Sequence, residues 1–526
     1  MMPSVLTIKQ YNKTNKSIDL SRLIISLIST FAWGISAHSY GFFNGIYTHD
    51  GLNAIFADFI EEKWKIELGR FFVPVYRALV RNPAAAPWLI GILSLTYIAA
   101  AVFLISKIFD IKKTMNIVLI SGLLTTNLTV IALTATYLYE LDIDMFAMLL
   151  SIISVYLWHR YRWGFIAGAF TLTCSIGLYQ SYFAMSFSLI VLTSMVAILR
   201  KNDIKAVLIR GLKGAAMLVI SLLSYVLLLK TVNKLLGIVP SESYNAVGNA
   251  IKHKYGIRLI VDCYKMLGDS MCKMIPHYSY RTELSILIIL SAIFILCSFN
   301  LLKKNNATKA QVVIYIILSL IFPLALNSIY ILSGGMVHDL MKYSHSIAFV
   351  AFFTETFFEK DKTKLSKRNY LNILTVVLTI MILYGNIVSA NVIYTKKDLD
   401  QRAVFSRMIQ IDQYVNESLG ASRENYPLAM IGKFDISEID FGKDYSEVTG
   451  VAIENSIPRV SKNNEEYNTY RAHYKYILHK EAVFCSNSDY ARLCSDRRVI
   501  DMQSFPSKDC VKIIDGIIVV KVGEIL

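Results

Sequence analysis

The sequence predicts an all-α polytopic membrane protein of about 11 transmembrane helices with a small C-terminal α/β domain outside the membrane. Three observations support this prediction. Apolar residues form 54% of the 526 residues and occur in blocks of about 20, the length that spans a bilayer core. Backbone polar groups in hydrocarbon must pair within their own segment, so these blocks are helices. After residue 394 such blocks are absent, and a mixed polar sequence follows.

The apolar blocks divide the chain into a short N-terminus, a membrane domain and a tail. Residues 1–21 are polar and basic, and the first block has no small-residue cleavage pattern, so no signal peptide is predicted. The predicted spans are 22–43, 87–106, 115–136, 144–158, 164–180, 182–199, 214–231, 284–302, 311–333, 344–358 and 369–390. Within the membrane domain, 22–394, the loops predicted to lie outside are 44–86, 137–144, 232–283 and 334–343.

The distribution of basic residues predicts the orientation. Six segments on one side of the predicted membrane, 1–22, 107–113, 159–163, 200–213, 303–309 and 359–368, together hold 22 Lys and Arg against 5 Asp and Glu. Cytoplasmic loops carry such an excess, so the N-terminus is predicted to be cytoplasmic and the tail to lie outside a bacterial cytoplasmic membrane. The net charge of +15 therefore reflects topology rather than a nucleic-acid partner.

The tail, 395–526, is long enough for a small domain. A helical pattern at 401–418 and short apolar runs at 428–431 and 516–522 predict a small α/β fold. Seven cysteines are present, and on an oxidising side of the membrane Cys485 and Cys494 are a candidate disulfide. No short C-x-x-C spacing with matching histidines predicts a zinc site.

The first outer loop contains a candidate general base. Apolar residues at helical spacing predict an amphipathic helix at 51–62 that lies along the membrane surface. Asp50 precedes this helix, where it could cap the free amides or take a proton from an acceptor hydroxyl. His49 beside it could tune Asp50 or bind phosphate, and Glu67 is a further candidate for substrate binding in the same loop.

The second outer loop contains three carboxylates within five residues, Glu140, Asp142 and Asp144. If this turn is extended, alternation places all three on one side. No basic residue lies nearby in sequence, and charges at this depth are costly and usually functional. We therefore predict a catalytic role for the cluster, with helix capping by Asp142 or Asp144 as the structural alternative.

Other outer span ends supply groups that could bind a phosphate-bearing lipid. Arg70 suits bidentate phosphate binding, and Arg77 and Arg81 follow it in the chain. The turn after Gly334-Gly335 adds His338, Asp339 and Lys342, and the stretch Gly177–Tyr182 contributes Tyr179 and Gln180. The structural alternatives are snorkelling of Arg70 and an aromatic belt at Tyr179. The cytoplasmic loops contain no Gly-rich phosphate-binding loop, which argues against a nucleotide-fed site.

Over about residues 20–350 the chain resembles the bacterial serotype-converting glucosyltransferase family of polytopic membrane proteins, and more loosely the GT-C glycosyltransferases. The resemblance rests on His49-Asp50 after the first span, Trp64…Gly69-Arg70, Tyr139…Asp144 entering a helix, and Gly177-Leu178-Tyr179-Gln180-Ser181-Tyr182. The family often has two acidic residues where this chain has His49-Asp50, so Asp50 alone matches directly. The tail and the loop 232–283 match nothing that can be carried over.

The resemblance implies transfer of a sugar, often glucose, from polyprenyl phosphate to a surface polysaccharide such as O antigen. It implies Asp50 as the base, with Glu140, Asp142 and Asp144 binding the acceptor or assisting, and Arg70 and Lys342 binding the carrier phosphate. It also makes His49, Trp64, Glu67, Tyr139, Tyr179, Gln180, His338 and Asp339 candidates for substrate binding. No cofactor is expected, although a divalent metal is compatible with the mechanism. Membrane lipid, a partner flippase and a polyprenyl-phosphate sugar synthase fit as partners.

Two other functions remain open on the sequence. A polysaccharide polymerase or ligase uses similar substrates, but would be expected to have a strongly basic central outer loop, and 232–283 is only mildly basic. A lipid-linked sugar flippase or other transporter predicts charges buried in mid-span. The acidic residues of this chain lie at the span ends instead, which favours chemistry at the membrane surface.

Overall fold

The structure is a computed structural model. It describes residues 5–48, 51–52, 59–82, 85–239, 256–273, 280–335, 337–354, 367–433, 436–437, 445–460 and 469–525. His49 and Asp50 lie outside the described residues, as do positions 53–58 of the predicted helix 51–62 and part of the loop 232–283.

The described part of the membrane domain is a bundle of helices. In chain order they are α1 (Val5–Asn44), α2 (Phe59–Glu67), α3 (Val73–Val80), α4 (Pro87–Ile108), α5 (Thr114–Thr125), α6 (Leu128–Thr136), α7 (Leu141–Arg160), α8 (Gly164–Leu178), α9 (Phe183–Leu199), α10 (Ile204–Leu236), α11 (Gly256–Lys273), α12 (Tyr280–Lys304), α13 (Lys309–Leu326), α14 (Ser328–Leu332) and α15 (Ser346–Val350). The 53-residue helix α16 (Lys367–Leu419) then leaves the bundle. Short 3-10 turns precede three of these helices: Leu138–Glu140 before α7, Gln180–Tyr182 before α9, and Asp339–Met341 with Tyr343–His345 before α15.

The helices support a multi-pass membrane protein. Among the described residues, eight helices are long and apolar enough to span a membrane, or nine if α5 and α6, which meet at a 40° bend, form one span. Two further predicted spans coincide with shorter apolar helical segments, Gly164–Leu178 and Tyr343–Phe353. The predicted fold class is therefore confirmed in outline, and the count of eleven spans stays a prediction.

The basic segments predicted to share one side of the membrane do meet at one end of the bundle, called here the basic end. Arg22 pairs with Asp110, and Arg200 donates to the Phe109 carbonyl. Lys213 donates to the Arg162 carbonyl, and Asn305 donates to the Leu199 carbonyl. The first five of the six predicted basic segments are thus linked or adjacent at this end, as the charge pattern requires.

The tail forms a small domain that follows the last long helix without a break. Residue 395 falls inside α16, a helix of about 80 Å at 1.5 Å per residue, so span and tail are joined without a break. The sheet has strands β1 (Leu428–Ile431), β2 (Val511–Ile514) and β3 (Ile517–Lys521) in the order β1-β3-β2, with β1 parallel and β2 antiparallel to β3. The remaining short helices are α17 (Thr469–Ala472), α18 (Asn487–Cys494) and α19 (Arg497–Ile500). Helix α16 contributes Val404, Met408, Ile411 and Val415 to the tail core.

The tail domain contacts the bundle end opposite the basic end, called here the site end. Thr136 donates to the Thr449 carbonyl at 2.9 Å. Tyr445, Val448 and Val451 belong to the apolar core of the membrane domain rather than to that of the tail. This docking places the tail beside the predicted outer loops. Among the residues that the structure describes, no disulfide joins Cys485 and Cys494.

Candidate active site

The turn that carries the three carboxylates is helical rather than extended. Leu138–Glu140 forms a 3-10 turn, and α7 begins at Leu141. An extended turn was the condition for placing Glu140, Asp142 and Asp144 on one side, and this condition is not met. Residues two apart on a helix point in directions about 200° apart. Asp142 and Asp144 consequently contact different neighbours, and this difference separates their roles.

Asp142 is fully buried and is held by helix α3 and the residue after it. Arg81 donates to both carboxylate oxygens, from Nε at 2.6 Å and from Nη2 at 2.9 Å, and Tyr76 donates from its hydroxyl at 2.9 Å. Arg81 also donates to the Tyr139 carbonyl. Burial, followed by the nearby Asp142 carboxylate, raises the pKa of Tyr76, so the phenol stays protonated and donates. Three donor atoms thus occupy Asp142, which gives it the role of anchor.

Glu140 is the second anchor. Arg77 pairs with its Oε1 at 2.5 Å and Lys65 pairs with the same oxygen at 3.0 Å. Both cations and the carboxylate are buried. The sequence shows no basic neighbour of this cluster, but the fold brings Lys65 from α2, and Arg77 and Arg81 from α3 and its end. Arg77 and Arg81 are four residues apart, so they lie on the same face of a helix, and Tyr76 is next to Arg77. This spacing is the feature of the sequence that could have predicted the contact.

Asp144 differs from the other two carboxylates. It is 7% exposed, and among the described residues it has neither a hydrogen-bond donor nor an ion-pair partner within contact distance. The charges of Arg70, Glu140 and Lys65 lie near enough to act on it. A carboxylate at this depth without a donor is costly, so it is the member of the cluster that remains available to a substrate hydroxyl.

Arg70 lies near Asp144 and is held by aromatic residues. Its guanidinium carbon stands 4.2 Å from the centroid of the Tyr179 ring, and its Nε is buried without a hydrogen-bond partner among the described residues. Tyr179 forms an edge-to-face contact with Tyr182 at 5.9 Å between centroids. A guanidinium stacked on a ring and lacking a partner at one nitrogen retains donors for a phosphate or a sugar oxygen.

The backbone that carries Arg70 is clamped by two side chains. Gln180 donates from Nε2 to the Leu68 carbonyl at 2.8 Å and to the Tyr225 hydroxyl at 3.0 Å, and Tyr225 donates to the Gly69 carbonyl at 3.1 Å. Gly69 has φ +82°, and a Cβ there would lie 2.3 Å from the Tyr225 hydroxyl. The predicted substrate-binding residue Gln180 is therefore placed as a support for Arg70. Tyr225, which the sequence reasoning missed, completes the clamp.

Comparison with known proteins decides the family. The family model described as Glucosyl transferase GtrII matches residues 39–355, more than half of the chain. The chain belongs to the GtrII glucosyl transferase family. Comparison with curated proteins and comparison with solved structures each gave no match. Family membership confirms the resemblance stated from the motifs and supports a glucosyltransferase function, which implies a sugar donor and an acceptor.

The region matched by the GtrII model contains the anchors, Asp144 and Arg70, and also a second polar cluster at the turn 338–342. Asp339 pairs with Lys342 at 2.8 Å and accepts from the Thr449 amide at 3.1 Å and the Thr449 hydroxyl at 3.2 Å. Burial raises the pKa of Asp339, but Lys342 and the two Thr449 donors outweigh it and lower that pKa overall. This cluster holds the tail of the GtrII chain to the membrane domain, and His338 beside it is exposed.

The other predicted site residues are distributed around these two clusters. Tyr139 is buried and offers its carbonyl to Arg81. Trp64 is partly buried in α2, and Glu67 ends that helix with a 3.8 Å contact to Lys63. Among the residues that the structure describes, no group of three or more His, Cys, Asp or Glu side chains is arranged to hold a metal ion. Asp50 and His49 cannot be placed relative to Asp144, because they lie outside the described residues.

Proposed function

We propose that this protein transfers a glucosyl residue from a polyprenyl-phosphate donor to a hydroxyl of a surface polysaccharide such as O antigen, at the outer face of a bacterial cytoplasmic membrane. The observation that carries the proposal is the proximity of Asp144 to Arg70 at the site end. Within the described part of the chain, a carboxylate without a donor lies near a guanidinium with an unpaired nitrogen. Together they suit a substrate that has both hydroxyls and a phosphate.

In the proposed reaction, a carboxylate base takes the proton of the acceptor hydroxyl as its oxygen bonds to the anomeric carbon of glucose. The bond from that carbon to the phosphate oxygen breaks, and polyprenyl phosphate leaves with the electron pair. The family resemblance favours Asp50 as the base. Asp144 then accepts a hydrogen bond from a substrate hydroxyl, and Glu140 and Asp142 keep α2 and α3 in place.

Arg70 is the better of the two proposed phosphate-binding cations. Lys342 already pairs with Asp339, whereas the Arg70 guanidinium contacts a ring and has a buried Nε that no described residue pairs. Guanidinium groups bind phosphate oxygens bidentately, and the developing charge on the leaving phosphate strengthens this contact in the transition state. His49, Trp64, Glu67, Tyr139, Tyr179, Gln180, His338 and Asp339 remain proposed contributors to substrate binding.

The proposal is tested by a transfer assay in membranes with radiolabelled polyprenyl-phosphate glucose and surface polysaccharide as acceptor. Wild type is expected to move label to polysaccharide. Asp50→Asn is expected to reduce this by about 100-fold or more, the range for loss of a general base. Asp144→Asn is expected to reduce it by roughly tenfold or more, the scale of one lost hydrogen bond to a charged group. Label that only crosses the membrane would support a flippase instead. Chain extension of the polysaccharide in place of glucosyl branching would support a polymerase.

The proposed orientation is tested separately. Single cysteines at exposed positions in the tail, such as Val483→Cys, are expected to react with a membrane-impermeant maleimide in intact cells from which the outer barrier has been removed. A cysteine at the exposed Leu208, near the basic end, is expected to react only after permeabilisation. The reverse pattern would overturn the orientation, and with it the outer active site.

A further inference from the structure

Two residues near Asp144 have a buried side-chain atom without a hydrogen-bond partner among the described residues. The atoms are the Nε of Arg70 and the hydroxyl of Tyr182. Tyr182 is 1% exposed, lies next to Ser181 in the turn before α9, and is close enough to Asp144 and Arg70 for their charges to act on it. Other buried polar atoms without a partner occur elsewhere in the described part of the bundle, but Arg70 and Tyr182 share one neighbour, the Asp144 carboxylate.

Buried polar atoms are almost always hydrogen-bonded, so a cluster of exceptions needs an explanation. Neighbouring residues show that the fold is able to satisfy such groups here. The hydroxyl of Tyr343, whose ring contacts that of Tyr182 at 6.0 Å, donates to the Leu124 carbonyl at 2.6 Å. The hydroxyl of Tyr225 donates to the Gly69 carbonyl. Of these three phenols in the described part of the chain, Tyr182 is the one left without a partner. A ligand bound beside Tyr182 would supply the missing partner.

We propose that Tyr182 and Asp144 form a sugar subsite that binds one hydroxyl of the donor glucosyl group. This inference rests on the proposed function. The hydroxyl of glucose donates to the Asp144 carboxylate, and the Tyr182 hydroxyl donates to the oxygen of that same sugar hydroxyl. One ligand group then satisfies a carboxylate that lacks a donor and a phenol that lacks an acceptor.

The charge arrangement separates this sugar subsite from the phosphate. An anion placed between Tyr182 and Asp144 would face the carboxylate directly, which is unfavourable, whereas a neutral hydroxyl can donate to it. Arg70 offers the positive charge that a phosphate needs. The hydroxyl of Tyr182 has no solvent contact, and Asp144 keeps 7% exposure, so the open side of the subsite is at the carboxylate.

The test compares Tyr182→Phe with Tyr343→Phe in the full-length protein. Tyr182→Phe removes a hydroxyl that has no partner, so the thermal unfolding midpoint is expected to stay unchanged or rise. Its kcat/KM for transfer is expected to fall roughly tenfold, the scale of one lost hydrogen bond to a charged or strongly polar partner. Tyr343→Phe removes a satisfied hydroxyl and is expected to lower the midpoint.

Binding provides a readout that does not depend on transfer. Wild type is expected to bind polyprenyl-phosphate glucose more tightly than polyprenyl phosphate without sugar, and Tyr182→Phe is expected to lose that preference while its affinity for the bare carrier is kept. Unchanged preference, or a drop in the midpoint as large as that of Tyr343→Phe, would show Tyr182 to be structural and overturn the subsite. If wild type itself shows neither transfer nor preference for the glucosylated lipid, the proposed function fails and the subsite fails with it.

Discussion

The two ends of the helical bundle carry ion pairs of opposite character. At the basic end, Arg22 pairs with Asp110, whose side chain is 56% exposed, and Lys107 pairs with Asp19, which is 36% exposed. At the site end, Arg81 and Asp142 are 1% and 0% exposed. The basic end has many charges near water, whereas the site end has few charges that are almost completely enclosed.

This difference separates two uses of charge. Exposed pairs contribute about 0–1 kcal/mol each, so the basic end serves orientation in the membrane more than stability. Removing one partner of a buried pair costs about 3–5 kcal/mol, because the other charge is left without compensation. The site end therefore depends on each of its pairs, and a charge change there can act through the fold even where it was meant to probe chemistry.

The largest effect is expected for Asp142→Asn. The Arg81 guanidinium would remain buried beside a neutral group, and we expect a loss of about 3–5 kcal/mol in the free energy of unfolding, with loss of transfer as a consequence. Thermal unfolding in detergent micelles measures the stability. A wild-type midpoint combined with loss of transfer would instead assign Asp142 to the chemistry and contradict its role as an anchor.

Asp144→Asn is the matched control for this prediction. Asp144 lies two residues away on the same helix, but no described cation is bonded to it, so the substitution leaves no ion-pair partner behind. We expect its unfolding midpoint to stay unchanged or rise, because a buried charge without a partner is removed, while transfer falls by roughly tenfold or more. The two asparagine variants then separate structural from functional loss of activity.

The sequence predicted which carboxylates lie at this site, but it did not predict which residues they contact. Hydropathy and charge placed Glu140, Asp142 and Asp144 at a span end, and the motifs identified the GtrII family. The turn is not extended, because a 3-10 turn continuing into α7 satisfies the backbone at that depth. Once the turn is helical, the three carboxylates diverge, and their roles diverge with them.

The pairing partners could not be read from the sequence for a physical reason. Arg77 and Glu140 are 63 residues apart, and Asp339 and Thr449 are 110 apart, so only the packed bundle brings them together. The long helix α16 runs through the predicted start of the tail at residue 395. Its hydropathy falls after residue 390, which resembles the end of a span, but a helix that leaves the membrane needs no break in its backbone.

The next effect tests the clamp on Arg70. Gly69→Ala combines a positive φ of +82° with a Cβ that would lie 2.3 Å from the Tyr225 hydroxyl, so the clamp must shift. We expect about 1–2 kcal/mol of backbone strain from the left-handed conformation, plus a rise in KM for the lipid donor as Arg70 moves. Differential scanning fluorimetry measures the loss of stability, and transfer kinetics measure the change in KM.

Gly237→Ala is its control, because Gly237 has φ +65° and a Cβ there would meet no atom of the described residues within 4 Å. Gly237→Ala is expected to lower stability through the same backbone strain and to leave KM for the lipid donor unchanged. Equal KM values in the two alanine variants would mean that the clamp does not position Arg70 for the donor.

A third prediction concerns pH at the contact between the tail and the membrane domain. The pKa of Asp339 in the folded protein is lowered, because Lys342 and Thr449 together outweigh the effect of burial. A lowered carboxylate pKa stabilises the fold above the unfolded value of about 3.9, and that contribution disappears as the pH falls through the folded value. We expect amide exchange at 445–456 to lose protection as the pH falls below about 4.

Asp339→Asn should remove this acid dependence and give weaker protection already at neutral pH. The basic end provides the comparison within the same sample, since amides near Arg22 do not depend on Asp339. Acid loss of protection that is the same in Asp339→Asn and wild type would place the titrating group elsewhere.

The smallest effect is expected for Asp110→Asn at the basic end. Asp110 pairs with Arg22 and with Lys112, but more than half of its side chain is exposed, so water replaces much of what the pair provides. We expect at most about 1 kcal/mol of destabilisation. In 1 M salt the difference in stability from wild type should vanish, because screening over about 3 Å removes the attraction.

The same salt should leave the destabilisation by Asp142→Asn nearly unchanged, since ions do not enter the enclosed pair. Salt could instead reduce the destabilisation by Asp110→Asn and that by Asp142→Asn to the same extent. That result would show that ions reach the Asp142 pair, and it would contradict the enclosure on which the roles of Asp142 and Asp144 depend.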